Sequence, residues 1–339
     1  MKYLKYFPLT ALMLCLLVPA GVAQAKDQIF VLGYDVLEVI DGETDAVTGN
    51  VPLKGWTRGY TVLPGDKRMV VTASRRYLHV VDTEKLKLLK TLDISKGKDG
   101  WERLEFGITS AGDGKTIFAN LVGRRTVDGE VEIAAPMLAQ IDLDSGKILR
   151  SIEVPRGIYQ LLLINGGKEV YAIGQDLYKI DVSGQQMKIA GIHSMYDRGM
   201  NIFPLWHYTY ENDGYFNSPY YTMEGCGMLE INTHNGEIKE SMVKGGVPMV
   251  YSFIYSPDRS KIYGSMDELY KLDAESKTIT DQTVINEGTN FSIMVSSDGK
   301  KVYTGGGGST ISVFDAETLK LLKVIQMETD GMSMVRLTI

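Results

Sequence analysis

The chain has 339 residues and a formal net charge of −6, from 36 basic and 42 acidic side chains. That balance argues against nucleic acid as a partner and is compatible with a basic protein partner without demanding one. Its two cysteines, Cys15 and Cys226, exclude a disulfide-stapled scaffold, because the first lies in a segment expected to be removed.

That segment is residues 1–25, which read as a signal peptide. Lys2 and Lys5 give a positive start, residues 7–18 an apolar stretch, and Ala23-Gln24-Ala25 a small-residue cleavage site. The stretch is shorter than the roughly 20 residues that span a bilayer. Export to the periplasm, cleavage after Ala25 and a single mature domain over 26–339 are therefore expected. Removing Lys2 and Lys5 takes the charge from −6 to −8. No later stretch has the length of a membrane span. Cys226 then stands alone and reads as a small buried or half-buried strand residue, with a free thiol or an intersubunit bond as the alternatives.

From residue 29 onward one phrase returns: a short apolar run ending in Asp or Asn, then a polar turn, then a second apolar run. It occurs seven times, at Val39-Ile40-Asp41, Val80-Val81-Asp82, Gln140-Ile141-Asp142, Lys179-Ile180-Asp181, Glu230-Ile231-Asn232, Lys271-Leu272-Asp273 and Val313-Phe314-Asp315. The intervals are 41, 60, 39, 51, 41 and 42 residues. A second phrase runs ahead of it in Leu63-Pro64-Gly65-Asp66-Lys67, Ala111-Gly112-Asp113-Gly114-Lys115, Asn165-Gly166-Gly167-Lys168, Ser256-Pro257-Asp258-Arg259 and Ser297-Asp298-Gly299-Lys300. Gly, Asp and Pro supply the backbone angles a hairpin needs, and strands such as Lys261-Ile262-Tyr263-Gly264 and Lys301-Val302-Tyr303-Thr304 follow. A period near 40 residues with four short strands per unit is the signature of a β-propeller, so the pattern predicts an all-β fold of seven blades. Ile29-Phe30-Val31-Leu32 opens a unit that lacks its first strand, and Gly331-Met332-Ser333-Met334-Val335 resembles a first strand with nothing after it. The N- and C-terminal strands are thus expected to share one blade, which removes the exposed sheet edges of an open ring.

The motif search returns mostly absences. There is no C-x-x-C-H haem attachment motif, no Walker loop and no nucleophile elbow. The run Gly305-Gly306-Gly307-Gly308 lies between two strands, so it reads as a hairpin rather than a phosphate cradle. Of the four histidines only His193 and His207 fall in one irregular region, and their spacing fits no ligand pattern. No catalytic, cofactor-binding or metal-binding residue is assigned to this chain.

Function is expected where the period stretches. The interval before Asp142 carries extra residues at 96–105 and 123–130, and the interval before Asn232 carries a run dense in aromatic residues. Phe203, Trp206, Tyr208, Tyr215, Phe216, Tyr220 and Tyr221 belong to that run and read as a substrate-cavity or subunit-interface surface. Rings filling the space between blades are the structural alternative.

The wording of three segments resembles the β subunit of quinohemoprotein amine dehydrogenase: Arg156-Gly157-Ile158 through Tyr171-Ala172-Ile173-Gly174-Gln175-Asp176-Leu177-Tyr178; Trp206 onward to Ser218-Pro219-Tyr220-Tyr221-Thr222; and Val295-Ser296-Ser297-Asp298-Gly299 with Phe314-Asp315-Ala316-Glu317-Thr318-Leu319. The resemblance extends over nearly the whole mature chain. It implies a periplasmic heterotrimer that oxidatively deaminates primary amines, with haem c on a di-haem α subunit and cysteine tryptophylquinone on a small γ subunit. The β subunit would be a seven-bladed propeller that holds the γ subunit and helps wall the substrate cavity, and would bind no cofactor covalently. The other readings are a stand-alone periplasmic propeller, either a lactonase-like hydrolase or a binding scaffold, and the large subunit of another quinone-dependent amine dehydrogenase.

Overall fold

The computed structural model describes residues 26–65, 67–96, 100–202, 214–331 and 333–338. The export signal read from residues 1–25 therefore lies outside the described residues, as do Asp66, His207 and Met332.

The described residues form strands joined by short turns, with two 3-10 turns at Asn165–Gly167 and Tyr196–Arg198. The first strands are β1 (Asp27–Leu32), β2 (Tyr34–Asp41), β3 (Ala46–Val62), β4 (Arg68–Ala73), β5 (Tyr77–Asp82) and β6 (Lys87–Asp93). There follow β7 (Glu102–Ser110), β8 (Thr116–Val127), β9 (Glu130–Ile133), β10 (Met137–Asp142) and β11 (Ile148–Glu153), then β12 (Gln160–Ile164), β13 (Glu169–Ile173), β14 (Leu177–Asp181) and β15 (Lys188–His193). The next four are β16 (Asn201–Ile202), β17 (Tyr215–Thr222), β18 (Gly225–Asn232) and β19 (Ile238–Met242), followed by β20 (Ser252–Tyr255), β21 (Lys261–Ser265), β22 (Glu268–Asp273) and β23 (Ile279–Val284). The last are β24 (Asn290–Val295), β25 (Lys301–Gly306), β26 (Thr310–Asp315), β27 (Leu321–Gln326) and β28 (Ser333–Thr338).

Strands β12–β15, β16–β19, β20–β23 and β24–β27 each make a four-stranded antiparallel sheet in chain order. Strands β7, β8, β10 and β11 do the same, with β9 added to the end of β8. The first sheet runs β28-β1-β2-β3-β4-β5-β6, because the long β3 pairs with β2 through residues up to Trp56 and with β4 from Thr57 onward. Its terminal strands are antiparallel partners, Phe30 opposite Val335 and Ile29 opposite Arg336.

The recurrent phrase has a single structural cause. All seven copies end a strand, β2, β5, β10, β14, β18, β22 or β26, which turns back into the next one, through four residues in six cases and through six after Asp181. The Asp or Asn side chain accepts hydrogen bonds from the turn: Asp41 Oδ1 from the Thr44 amide at 2.9 Å, Asp82 from the Lys85 amide at 2.8 Å, Asn232 from the His234 amide at 2.9 Å. At Asp142, Asp273 and Asp315 the residue three places on is Ser145, Ser276 or Thr318, whose hydroxyl and amide both donate to the same carboxylate. In six of these turns the closing residue takes a positive φ, from 49° at Leu86 to 72° at Gly236. A four-residue turn closed this way is followed in the ladder by one extra residue, and the register slips beside it, as between Val313 and Phe314.

Burial falls from the first three strands of a sheet to the fourth. Strand β26 is buried along its centre, while β27 and β6 are exposed or half-buried along nearly their whole length. The core lies accordingly between neighbouring sheets and, in the seven-stranded sheet, between its two halves on either side of β3. One cluster joins Phe30, Leu37 and Val335 to Tyr60, Met69 and Val81; the next joins Val70 and Val80 to Ile117 and Ile141. Phe118 and Leu138 pack on Leu161 and Ile180, Ile173 and Leu177 on Phe216 and Leu229, and Cys226 and Met228 on Phe253 and Tyr270. The largest runs from Ile254 and Tyr263 through Ile293 and Val313 to Ile29, Ile40 and Met334. Burial at this scale, at about 25 cal/mol per Å² of apolar surface, is the dominant stabilising term.

Tyrosines on second strands tie one sheet to the next. Tyr171 donates to the Gly236 carbonyl at 2.9 Å, Tyr263 to the Ala316 carbonyl at 2.9 Å, and Tyr303 to Asp45 Oδ1 at 2.7 Å. Each acceptor sits in the hairpin of the following sheet, and Lys301 adds an ion pair to Asp45 at 2.7 Å. Cys226 is buried, which pushes its thiol up to about 12 and makes it a packing residue rather than a reactive one.

Tyr263→Phe is expected to cost about 1 kcal/mol in equilibrium denaturation, and Tyr303→Phe more, about 2 kcal/mol, because its partner is charged. Equal midpoints for wild type and both variants would show that the ties carry no energy.

The turn aspartates set the acid limit. Hydrogen bonds from Ser145, Ser183, Ser276 and Thr318 hold Asp142, Asp181, Asp273 and Asp315 below the ordinary carboxylate range, and Ser256 with Ser260 holds Asp258 down to about 2. Groups depressed on folding stabilise fully above their unfolded pKa of about 4 and lose that contribution as pH falls toward 2. His79 acts higher on the scale: it is fully buried, its ring nitrogens meet Thr91 Oγ1 at 2.9 Å and the Lys54 carbonyl at 3.0 Å, and burial lowers its pKa. Two contributions are expected to be lost in stages as pH falls, that of His79 below about pH 6.5 as it is forced to charge, against the opposite trend of the buried Glu105, and that of the aspartates below about pH 4. Thermal melts across pH should show the first stage vanish in His79→Gln; its persistence there would assign it to another group.

Candidate functional site

The first stretched interval becomes a projecting hairpin. Residues Arg124 to Val127 of β8 pair with β9 around a two-residue turn, Asp128-Gly129, with φ of 51° and 86°. Arg124 and Arg125 pair with Glu102 and Glu132 at 2.7 and 2.6 Å, and the Arg125 guanidinium lies 4.4 Å over the Trp101 ring. Val127, Val131 and Ile133 are exposed along it.

The second stretched interval holds the aromatic run. Phe203, Trp206 and Tyr208 lie outside the described residues. Phe216 and Tyr220, four apart on one face of β17, are both buried against Ile173, Leu177 and Leu229. Tyr221 points to the other face, half-buried, and its hydroxyl exchanges hydrogen bonds of 2.8 Å with the amide and carbonyl of Val250. Tyr215 is half-buried at the start of β17 with the Arg259 guanidinium 3.9 Å over its ring; the same guanidinium lies 4.0 Å from Tyr255 and pairs with Glu230. The structure thus brings Phe216 and Tyr220 together in a core and separates them from Tyr215 and Tyr221.

The approach to residue 203 is pinned by charge. Asp176 Oδ1 accepts from the amides of Met195 and Tyr196 at 2.7 and 3.0 Å, which starts the 3-10 turn at Tyr196–Arg198. Glu240 on β19 receives both ends of the Arg198 guanidinium, at 2.9 and 2.5 Å, and meets His193 Nε2 at 2.6 Å. Burial alone would raise the Glu240 carboxyl, but hydrogen bonds from Arg198 and then His193 outweigh it and hold it low. A bidentate guanidinium with a second donor is the strongest arrangement these residues can make.

A third group was invisible to sequence reasoning because its members are far apart in the chain. Three backbone irregularities meet between β3, β4 and β7. The β3–β4 register slips between Thr57 and Gly59, which places Arg58 in a bulge. The β4–β5 hairpin turns through Ser74 and Arg75, both with positive φ (51° and 57°). The β7–β8 register slips between Glu105 and Ile108, which bulges Phe106 and Gly107. The Glu105 amide donates to the Arg75 carbonyl at 2.8 Å, and Arg75 Nη1 to the Glu105 carbonyl at 3.3 Å. Glycine is required at 107, where a Cβ would stand 2.9 Å from the Tyr159 carbonyl oxygen of β12's approach. The Arg58 guanidinium lies 4.4 Å over Trp56 and that of Arg75 4.0 Å over Phe106. Glu105 is 5% exposed. Burial pushes its carboxyl up to about 7 against the pull of Arg75, Thr72, the Gly107 amide and Arg58. Burial, then repulsion from Arg75, brings Arg58 down to about 10. Bulges and positive-φ turns of this kind collect where a side chain must be aimed. Among the described residues no cluster of His, Cys, Asp and Glu is close enough to hold a metal ion, and no helix is long and apolar enough to cross a membrane.

No protein-family profile and no curated protein matches the chain. Solved structures do. A functionally unknown protein from Desulfotomaculum acetoxidans superposes with a TM-score of 0.62 at 12% identity over 90% of this chain and 97% of the other. AztD from Citrobacter koseri gives 0.58 at 14% identity over 92% and 98%, and hydrazine synthase from Kuenenia stuttgartiensis gives 0.57 at 16% identity over 87% and 90%. At such identities the likeness carries the fold alone. With the sheet order and the packing of sheet on sheet, it defines the chain as a β-propeller protein.

Glu240→Ala is expected to release the Arg198 turn and speed tryptic cleavage after Arg198, read by mass spectrometry of timed digests. An unchanged rate would show that the ion pairs do not restrain this segment.

Proposed function

We propose that this chain is a seven-bladed propeller closed by its terminal strands, and that it serves as the propeller subunit of a periplasmic quinohemoprotein amine dehydrogenase. The blade count follows from reading the seven-stranded sheet as two blades sharing β3, which bends where Gly55 takes a φ of 92°. Closure is supported by the β1–β28 ladder and by the single core that runs from Ile254 through Val313 to Ile29.

What supports the functional reading is the resemblance of three segments of the sequence to that family's β subunit. Their described residues fall on β12–β14 and the approach to it, on β17, and on the β24–β26 run with its Asp315–Thr318 turn. In such an assembly the quinone on a small partner chain supplies the amine oxidation and partner haems take the electrons. This chain's share is enclosure: rings of the 203–221 run other than the core pair Phe216 and Tyr220 exclude water from the amine's path and seat the small subunit, beside the Tyr196–Arg198 turn that Asp176 and Glu240 hold.

The test is purification from the native periplasm without dissociation, followed by a visible spectrum and a denaturing gel. Haem c bands with a larger haem-bearing chain and a small third chain are expected, together with amine-dependent reduction of the haem. A colourless protein that runs alone would overturn the reading and favour the stand-alone propeller.

A further inference from the structure

A cavity of about 480 Å³, the size of a small-molecule site, lies between the β20–β23 sheet and the β24–β27 sheet and takes in none of the aromatic run. Strand β23 and the residues after it make one wall, and the β26–β27 hairpin makes the other. The floor comes from β26. Tyr303 on β25 crosses to Asp45 in the first sheet, so its ladder partner Val313 faces that way too. Ser312 and Phe314, one place to either side, therefore face the β20–β23 sheet and the cavity they line. Ser312 is 1% exposed, and its hydroxyl has no hydrogen-bond partner among the described residues. Thr304, directly opposite it on β25 and fully buried, is in the same state. Ser265 on β21 is a third such hydroxyl. It shares a face with Tyr263, whose hydroxyl reaches the Ala316 carbonyl, so it looks across the same gap from the other side. A buried hydroxyl without a partner costs stability, and native proteins keep few of them. Three around one gap mark a place built to bond something from outside the fold.

The lining narrows the class of ligand. Gln282, Thr283, Asn286 and Thr318 join Ser312 as neutral groups that belong to the types able to donate and accept at once. The Thr318 hydroxyl already donates to Asp315 at 2.7 Å and keeps its lone pairs for a second bond. Charge enters once with each sign, Glu287 on one wall and Lys320 on the other, so the lining as a whole draws neither an anion nor a cation. Val284 and Leu321, both exposed, give each wall an apolar lip. We infer that this cavity is a binding site for a neutral saccharide. Sugar hydroxyls both donate and accept, which is what the amides and hydroxyls of the lining match, and the C–H face of the ring packs on the lips. A purely apolar ligand would leave those amides and hydroxyls unpaired, at a cost. The site goes beyond the enclosure role and holds whether or not the chain joins a haem-bearing assembly.

Saturation-transfer NMR on the full chain tests it with glucose, galactose, N-acetylglucosamine, maltose and cellobiose, and with glucose 6-phosphate and glucosamine as charged controls. Saturable binding of at least one neutral sugar is expected, with neither charged sugar binding more tightly than glucose. Ser312→Ala should weaken that sugar about 3- to 10-fold, the worth of one hydrogen bond, while its melting midpoint without sugar stays level or rises, because an unpaired buried hydroxyl has been removed. Gln282→Ala, on the outer wall and clear of the core, is the second variant and should weaken the sugar by a similar factor. A disaccharide bound more tightly than glucose would support the site with a longer glycan as the source, and equal affinities would support it with a free sugar. The proposal is overturned if no neutral sugar gives a saturable signal, if both variants bind as the wild type does, or if a charged sugar binds more tightly than every neutral one.

Discussion

Every sheet in this protein has two apolar faces, and that constraint governs the rest. A sheet buried on one side only can end a structure; a sheet buried on both needs a neighbour on each side. Ile173 and Leu177 face forward to Phe216, while Val170 and Ile180 face back to Phe118. The same division repeats along the chain. One cluster, from Tyr263 through Val313 to Ile29, joins residues of the last sheets to residues of the first. Polar ties such as Tyr303 to Asp45 then set the register of one sheet against the next, which apolar packing alone leaves loose.

The framework was legible because its turns are chemically demanding. A strand that must reverse within four residues needs an acceptor at its end, and Asp or Asn supplies one, so the phrase survives where the apolar letters around it vary. The aspartates also mark the strand ends themselves, from Asp41 to Asp315. What could not be read was the merging of two units through β3, since nothing in its 17 residues announces that pairing changes partner at Trp56. The β8–β9 hairpin was hidden for a different reason. Its turn, Asp128-Gly129, lies in a charged run that resembles a solvated loop.

The site residues divide along similar lines. Aromatic density pointed to the 196–221 region, but density does not report direction. In β17 the alternation of side chains sends Phe216 and Tyr220 to one neighbour and Tyr221 to the other, which a count of rings cannot distinguish. The Arg58, Arg75 and Glu105 group had no sequence signal at all. Its members come from three strands or turns, and it is the bulges that bring them together; a bulge is one extra residue, invisible to periodicity.

The pairing of β1 with β28 has a kinetic meaning as well as a structural one. Phe30 and Val335 are among the most distant residues in the described chain, so forming their ladder closes the longest loop available. Contacts of that range are slow to form, and the remaining hairpins, all local, can assemble before them. The β1–β28 seam is therefore the last part of the described chain to set and the natural place for it to open, a clasp among links that otherwise join neighbours.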